Sequence, residues 1–187
     1  MTQPIAFIDL AAQRRRIARE IDAAIARVLD HGIFISGLEV AAFEAKLAAF
    51  CGARFAVACG NGTDALQLAL MAKGIGQGDA VIVPDFTFTA TAEAVALVGG
   101  TPVFVDVQAA DFNIDVGQLE AGLRAAKDKR LKPRALIAVD LFGLAPDFEA
   151  LTAFCDRQRP GADRRRRITT TRAYPDWEES IGDSLRV

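Results

Sequence analysis

Short apolar runs separated by helical segments limit this chain to very few folds. Residues 79–84 (D-A-V-I-V-P), 101–106 (T-P-V-F-V-D) and 135–139 (A-L-I-A-V) are continuously apolar or nearly so, and residues 55–58 (F-A-V-A) form a shorter run ahead of them. Between the runs lie segments with helical character: residues 65–72, apolar on nearly all sides, residues 93–98, a stretch opened by Asp115 toward Lys127, and residues 146–155. A strand apolar on both faces must be covered on both, so this alternation predicts an α/β fold with a largely parallel sheet between two helical layers. Two helices precede the first strand. In one, Ile17, Ile21, Ala24, Ile25, Val28 and Leu29 recur at helical spacing up to Gly32. In the other, the capping-box pattern Ser36-Gly37-Leu38-Glu39 leads into Val40, Phe43, Leu47 and Phe50, with a stop at Gly52.

Composition removes several classes of function. With 187 residues, 51% hydrophobic and 25% charged, the chain fits one soluble domain with a sizeable core. A net charge of −2 offers no footprint for nucleic acid, and no apolar run approaches the roughly 18–20 residues of a membrane span. Met1-Thr2-Gln3-Pro4 lacks the basic and apolar regions of a signal peptide, so a cytoplasmic location is expected. Cys51, Cys59 and Cys155 contain no C-x-x-C pair and are expected as buried thiols. His31 is the only histidine, which argues against a metal site and leaves a Ser-His-Asp hydrolase one poorly placed base.

The run at residues 55–58 breaks at Gly60-Asn61-Gly62-Thr63-Asp64 and resumes as a helix, a strand, tight turn and helix in sequence. Unpartnered amides and the aligned dipoles of a helix start attract anions, and glycines let a phosphate come close. Thr63 adds a hydroxyl donor. The same residues also suit an ordinary capped turn, with Asn61 or Thr63 as the cap and no ligand. They satisfy the dinucleotide fingerprint G-x-G-x-x-A as well, with Asp85 at the end of the next strand as the ribose-binding acid. Against that alternative, two long helices stand before the glycine turn. A second candidate stretch, P-D-F-T-F-T-A-T-A-E from Pro84 to Glu93, leaves the carboxyl end of a strand, where open sheets bind ligands, and offers aromatic rings with hydroxyls. One of Phe86 and Phe88 is expected in the core. Phe34, in the glycine-bounded loop of residues 32–37, is either core or a ligand contact.

The segments F-I-D-L, H-G-x-F-I-x-G-x-E-V, G-N-G-T-D-A-L-x-L-A-L, G-D-x-V-I-V-P-x-F-T-F-x-A-T-A-E, G-G-T-P-V-F-V-D-V and V-D-L-F-G-x-x-P-D, in this order, resemble the DegT/DnrJ/EryC1/StrS family of pyridoxal-phosphate-dependent sugar aminotransferases from Phe7 to about Gln158. The resemblance implies the three-layer large domain of the type I aminotransferase fold, incomplete at its C-terminus. It implies transamination of a nucleotide-linked keto-sugar for surface polysaccharide, with an amino-acid donor such as glutamate, in a homodimer. Gly62, Thr63 and Asp64 would hold the cofactor phosphate, and Phe88 would stack on the pyridine ring. Phe34 and Thr89 would lie near the sugar nucleotide or the cofactor.

Transamination also needs a lysine to attach the cofactor and move protons, and an acid to keep the pyridine nitrogen protonated. In the family both follow the helix that here ends near Gln158, yet no lysine follows Lys132, and Asp140 belongs to the preceding strand. No catalytic residue is therefore assigned. Composition changes abruptly at the same point: all 12 Phe precede residue 159, while the only Trp, the only Tyr and the run Arg164 to Arg167 follow it. One set of codons for residues 159–167, CGG-CCT-GGC-GCT-GAT-CGC-CGA-CGC-CGC, read one base later encodes G-L-A-L-I-A-D-A-A, the family's missing strand and acid. Residues 1–158 are thus expected to be the N-terminal part of the aminotransferase domain, and residues 159–187 an out-of-frame tail without a fold of its own.

Overall fold

The structure is a computed structural model, and it describes residues 8–158 and 169–173. Helices α1 (Leu10–Arg16), α2 (Ala18–His31) and α3 (Leu38–Cys51) are followed by α4 (Gly62–Ala72), β1 (Asp79–Pro84), α5 (Ala90–Leu97), β2 (Thr101–Val105), α6 (Leu119–Asp128), β3 (Lys132–Val139), α7 (Phe148–Arg157) and β4 (Thr169–Ala173). The four strands form one parallel sheet in the order β2-β1-β3-β4.

The two-residue period of the strands sorts the core into two layers. Val81, Val83, Ala135, Ile137 and Val139 face one way, onto Leu70 of α4 and Ala94 and Val95 of α5. Ile82, Leu136 and Ala138 face the other way, onto Leu119 and Leu123 of α6 and Leu151 and Phe154 of α7. Every residue of β1 is buried. Its one charge, Asp79, is compensated there: Oδ2 accepts the Gly76 amide at 3.1 Å and Oδ1 lies 3.5 Å from the Arg134 guanidinium.

Several expectations need correction. Residues 55–58 form no strand, and Phe55 is 79% exposed. A strand needs a ladder partner, and among the described residues none runs beside this segment. The first amphipathic segment is two helices, broken at Ile17 (φ −118, ψ 19) and joined by an Arg14–Asp22 ion pair. Ser36 does not cap α3; Gly37 is the N-cap, with no side-chain bond, and Ser36 adopts a positive φ of 49°. Of the cysteines only Cys155 is buried, because Cys51 and Cys59 lie in the N-terminal segment that the sheet does not cover. α1, α2 and α3 contribute no buried residue.

The expectation of a tail without a fold meets a strand at Thr169–Ala173, which pairs in parallel with β3 from Ala135↔Thr169 to Val139↔Ala173. Pairing satisfies backbone groups whatever the side chains, and a threonine-rich segment suits extended backbone. The arginine run lies outside the described residues, as do residues 174–187.

The contrast between two phenylalanines tests this architecture. Phe154 is 1% exposed and Phe55 79%. Phe154→Ala is expected to cost about 3–5 kcal/mol, whereas Phe55→Ala is expected to stay within about 0.5 kcal/mol. Urea unfolding followed by circular dichroism reads both, and comparable losses in the two variants would mean that residues 55–58 are part of the sheet.

Candidate functional site

The direction of the strands decides where ligand-facing residues gather. α4 ends at Ala72 and the chain enters β1 at Asp79, so α4 runs back along the sheet. Its start lies about 16 Å away, from a rise of about 1.5 Å per residue, at the carboxyl edge of the strands. α5 begins just after β1 ends, hence at the same edge, and the two helices pack against each other. Topology therefore brings Gly62, Thr63 and Asp64 to the sheet edge that carries Phe88 and Thr89.

The start of α4 is built by Asn61. Its backbone is extended (φ −167, ψ 176) and its Oδ1 accepts the Asp64 amide at 2.9 Å. Its Nδ2 donates to Asp64 Oδ2 at 3.2 Å, so cap and first-turn carboxylate hold each other. A Cβ on Gly60 would lie 2.7 Å from Asp64 Oδ2, so a larger residue there would push that carboxylate aside. The amides of Gly62 and Thr63 and the Thr63 hydroxyl make no hydrogen bond among the described residues. A Cβ built on Gly62 meets nothing within 4 Å, so the approach to these amides is open. Two free donors at a helix start, with a hydroxyl beside them, fit a phosphate.

At the exit of β1 the Asp85 amide still donates to Val105 O at 3.0 Å, and the chain then turns outward. Neither Phe86 nor Phe88 enters the core, contrary to expectation: Phe88 is 69% exposed, and Phe86 meets Phe112 with ring centroids 5.3 Å apart. Thr89 stands before α5 and caps it without a side-chain bond, leaving its hydroxyl exposed. Phe34 is 68% exposed and so is not core. It sits on the loop between α2 and α3.

Sequence patterning missed an aromatic row at the carboxyl edge. Phe112 meets Phe142 edge-on at 6.2 Å, and both adopt positive φ, 60° and 56°. The strained backbone that turns these rings together is invisible to periodicity. Beneath them the buried Asn113, its amide nitrogen turned toward the chain, donates to Val139 O at 3.1 Å and Leu144 O at 3.3 Å.

The lysines lie elsewhere. Lys73 follows α4, Lys127 and Lys129 close α6, and Lys132 opens β3, all at the amino edge of the sheet, while Lys46 is within α3. The dinucleotide alternative also loses its premise, because no strand enters the glycine turn. Among the described residues no group of three or more metal-ligating side chains forms, and no helix is long and apolar enough to cross a membrane.

Comparison with known proteins bears on the same residues. The model of the DegT/DnrJ/EryC1/StrS aminotransferase family matches residues 15–159. The chain is 47% identical over 153 residues to the UDP-2-acetamido-2-deoxy-3-oxo-D-glucuronate aminotransferase of Pseudomonas aeruginosa, covering 82% of this chain and 41% of that protein. It is similar to the crystal structure of a DegT DnrJ EryC1 StrS aminotransferase from Brucella abortus, with 54% identity, a TM-score of 0.79, and coverage of 83% of this chain and 42% of that one. It also resembles S. venezuelae DesV, solved in complex with a ketimine intermediate, with 38% identity, a TM-score of 0.81, and coverage of 92% and 43%. The chain thus spans about two fifths of the length of these relatives.

The cap at α4 can be tested alone. Asn61→Ala removes the bond to the Asp64 amide and is expected to cost about 1 kcal/mol. Thr63→Val, whose hydroxyl is unbonded, is expected to stay within about 0.5 kcal/mol. Urea midpoints measure both, and equal losses would mean that the hydroxyl of Thr63 shares the capping role.

Proposed function

The chain belongs to the DegT/DnrJ/EryC1/StrS aminotransferase family, and on that premise we propose that residues 15–159 are the phosphate-holding part of a transaminase for nucleotide-linked keto-sugars. The observation that carries the proposal is the pair of free amides at the start of α4 beside an exposed aromatic strand exit at one sheet edge. Pyridoxal phosphate supplies the electron sink for amino-group transfer. The amides of Gly62 and Thr63 donate to its phosphate, the Thr63 hydroxyl adds a third donor, and the dipole of α4 contributes partial positive charge. Asp64 serves by locking the cap with Asn61, which keeps the helix start in shape. Phe88 offers its face to the ring, and Thr89 and Phe34 meet the substrate. An amino acid such as glutamate donates the amino group, and the working unit is a cytoplasmic homodimer.

The phosphate end and the ring-stacking end fit this cofactor; covalent attachment does not. Lys73, Lys127, Lys129 and Lys132 stand at the amino edge, away from the carboxyl edge where an attaching amine is needed. This chain therefore holds the cofactor without a covalent bond and does not turn over. A change of reading frame after Gln158 accounts for the loss, and the end of the family match at residue 159 supports it. The nucleotide sequence across that position tests the frame directly.

Adding pyridoxal phosphate to the purified chain is expected to give reversible binding that inorganic phosphate competes away and that Phe88→Ala weakens. Borohydride should leave no lysine labelled at a stoichiometric level, and glutamate with a UDP-linked keto-sugar should give no amino-sugar. A single lysine trapped in full would show that attachment survives; binding indifferent to phosphate would remove the cradle.

A further inference from the structure

His31 and Glu39, two side chains of the H-G-x-F-I-x-G-x-E-V segment, lie apart from the phosphate cradle and have no task in the site described above. His31 closes α2 and Glu39 sits in the first turn of α3. The Nδ1 of His31 accepts the Ile33 amide at 3.0 Å. An accepting Nδ1 places the proton of the neutral ring on Nε2, and that nitrogen lies 3.2 Å from Glu39 Oε2. Both ring nitrogens are therefore engaged, one at each end of the loop of residues 32–37.

Backbone geometry tightens the same loop. Gly32 ends α2 with a φ of 68°, in the left-handed region. Gly37 passes so near that a Cβ would lie 2.8 Å from Ile33 O, which excludes any larger residue without a backbone shift. The loop exposes three apolar side chains, Ile33, Phe34 and Ile35, beside Ser36. The Glu39 carboxyl is held below its ordinary range, first by its own backbone amide, with further contributions from the bond to His31 and from the charge of Arg27. Arg27 is the further charged group that bears on this pair.

We propose that His31 and Glu39 are positioning residues, which lock the loop of residues 32–37 through the Nε2–H tautomer and so present Phe34 as a preformed contact for the nucleotide-linked sugar. The presentation to substrate rests on the function proposed above; the clasp rests on the geometry alone. A loop ordered beforehand spares the bound complex the entropy of ordering it.

Because His31 is the only histidine, the ring nitrogens of the ¹⁵N-histidine-labelled full chain need no assignment. The expected spectrum at neutral pH shows a protonated Nε2 and a bare Nδ1. Glu39→Gln keeps an acceptor for Nε2–H and should keep both the tautomer and the slow exchange of the Ile33 amide. Glu39→Ala should mix the tautomers and speed that exchange about tenfold, the equivalent of one ordinary hydrogen bond. A bare Nε2 in the parent chain, or equal effects of the two variants, would overturn the clasp. Titration with UDP-N-acetylglucosamine as probe reads the substrate half: binding should weaken about tenfold in Glu39→Ala and not in Glu39→Gln. Equal binding by all three chains overturns the presentation of Phe34 while sparing the proposed function. No binding even by the parent chain overturns the substrate assignment and the presentation with it, leaving the clasp to be judged by its tautomer.

Discussion

Burial of β1 on both faces is the constraint on which the rest of this structure depends. All six of its residues are buried, and its neighbours β2 and β3 lie parallel to it. Parallel neighbours need crossovers, and a strand apolar on both sides needs cover on both, so the helices of the sheet core are bound into two layers. The split between Val81 and Val83 on one face and Ile82 on the other is that requirement at residue scale. Asp79 shows the tolerance of the rule: a charge is admitted at the strand's end only with an amide and a guanidinium beside it.

The same constraint gives the sheet two chemically different ends. Helices that run back against parallel strands all begin at the carboxyl edge, where free amides and partial positive charge collect. Gly62, Thr63, Phe88 and Thr89 belong to that edge, and the lysines near the sheet belong to the other. The carboxyl edge thus offers free backbone donors, and the side-chain amines near the sheet stand at its other end.

The N-terminal helices answer to different forces. α1, α2 and α3 bury no residue, so local terms shape them: the Asp9 cap on the Ala12 amide, the Arg14–Asp22 pair, the left-handed glycines after α2 and α3, and the His31–Glu39 clasp. Each such term is small and exposed to solvent. Together they define the turn that carries Phe34.

By itself the sequence determined what depends on nearest neighbours and on periodicity. The apolar runs in β1, β2 and β3, the helices between them and the glycine-rich start of α4 were legible because burial imposes a pattern on consecutive residues. The motif order was legible as a family resemblance, and the family match ends at residue 159, where composition changes. Tertiary structure decided what depends on a partner distant in sequence. Residues 55–58 had the composition of a strand and no neighbour to pair with, while Thr169–Ala173, expected to lack a fold, found the open edge of β3. Glu39 had the spacing of a capping box with Ser36, yet its carboxylate turned to His31, because the loop closes on itself before α3 begins. A strand or an ion pair exists only when both halves meet, and only one half of each is written in any local stretch of chain.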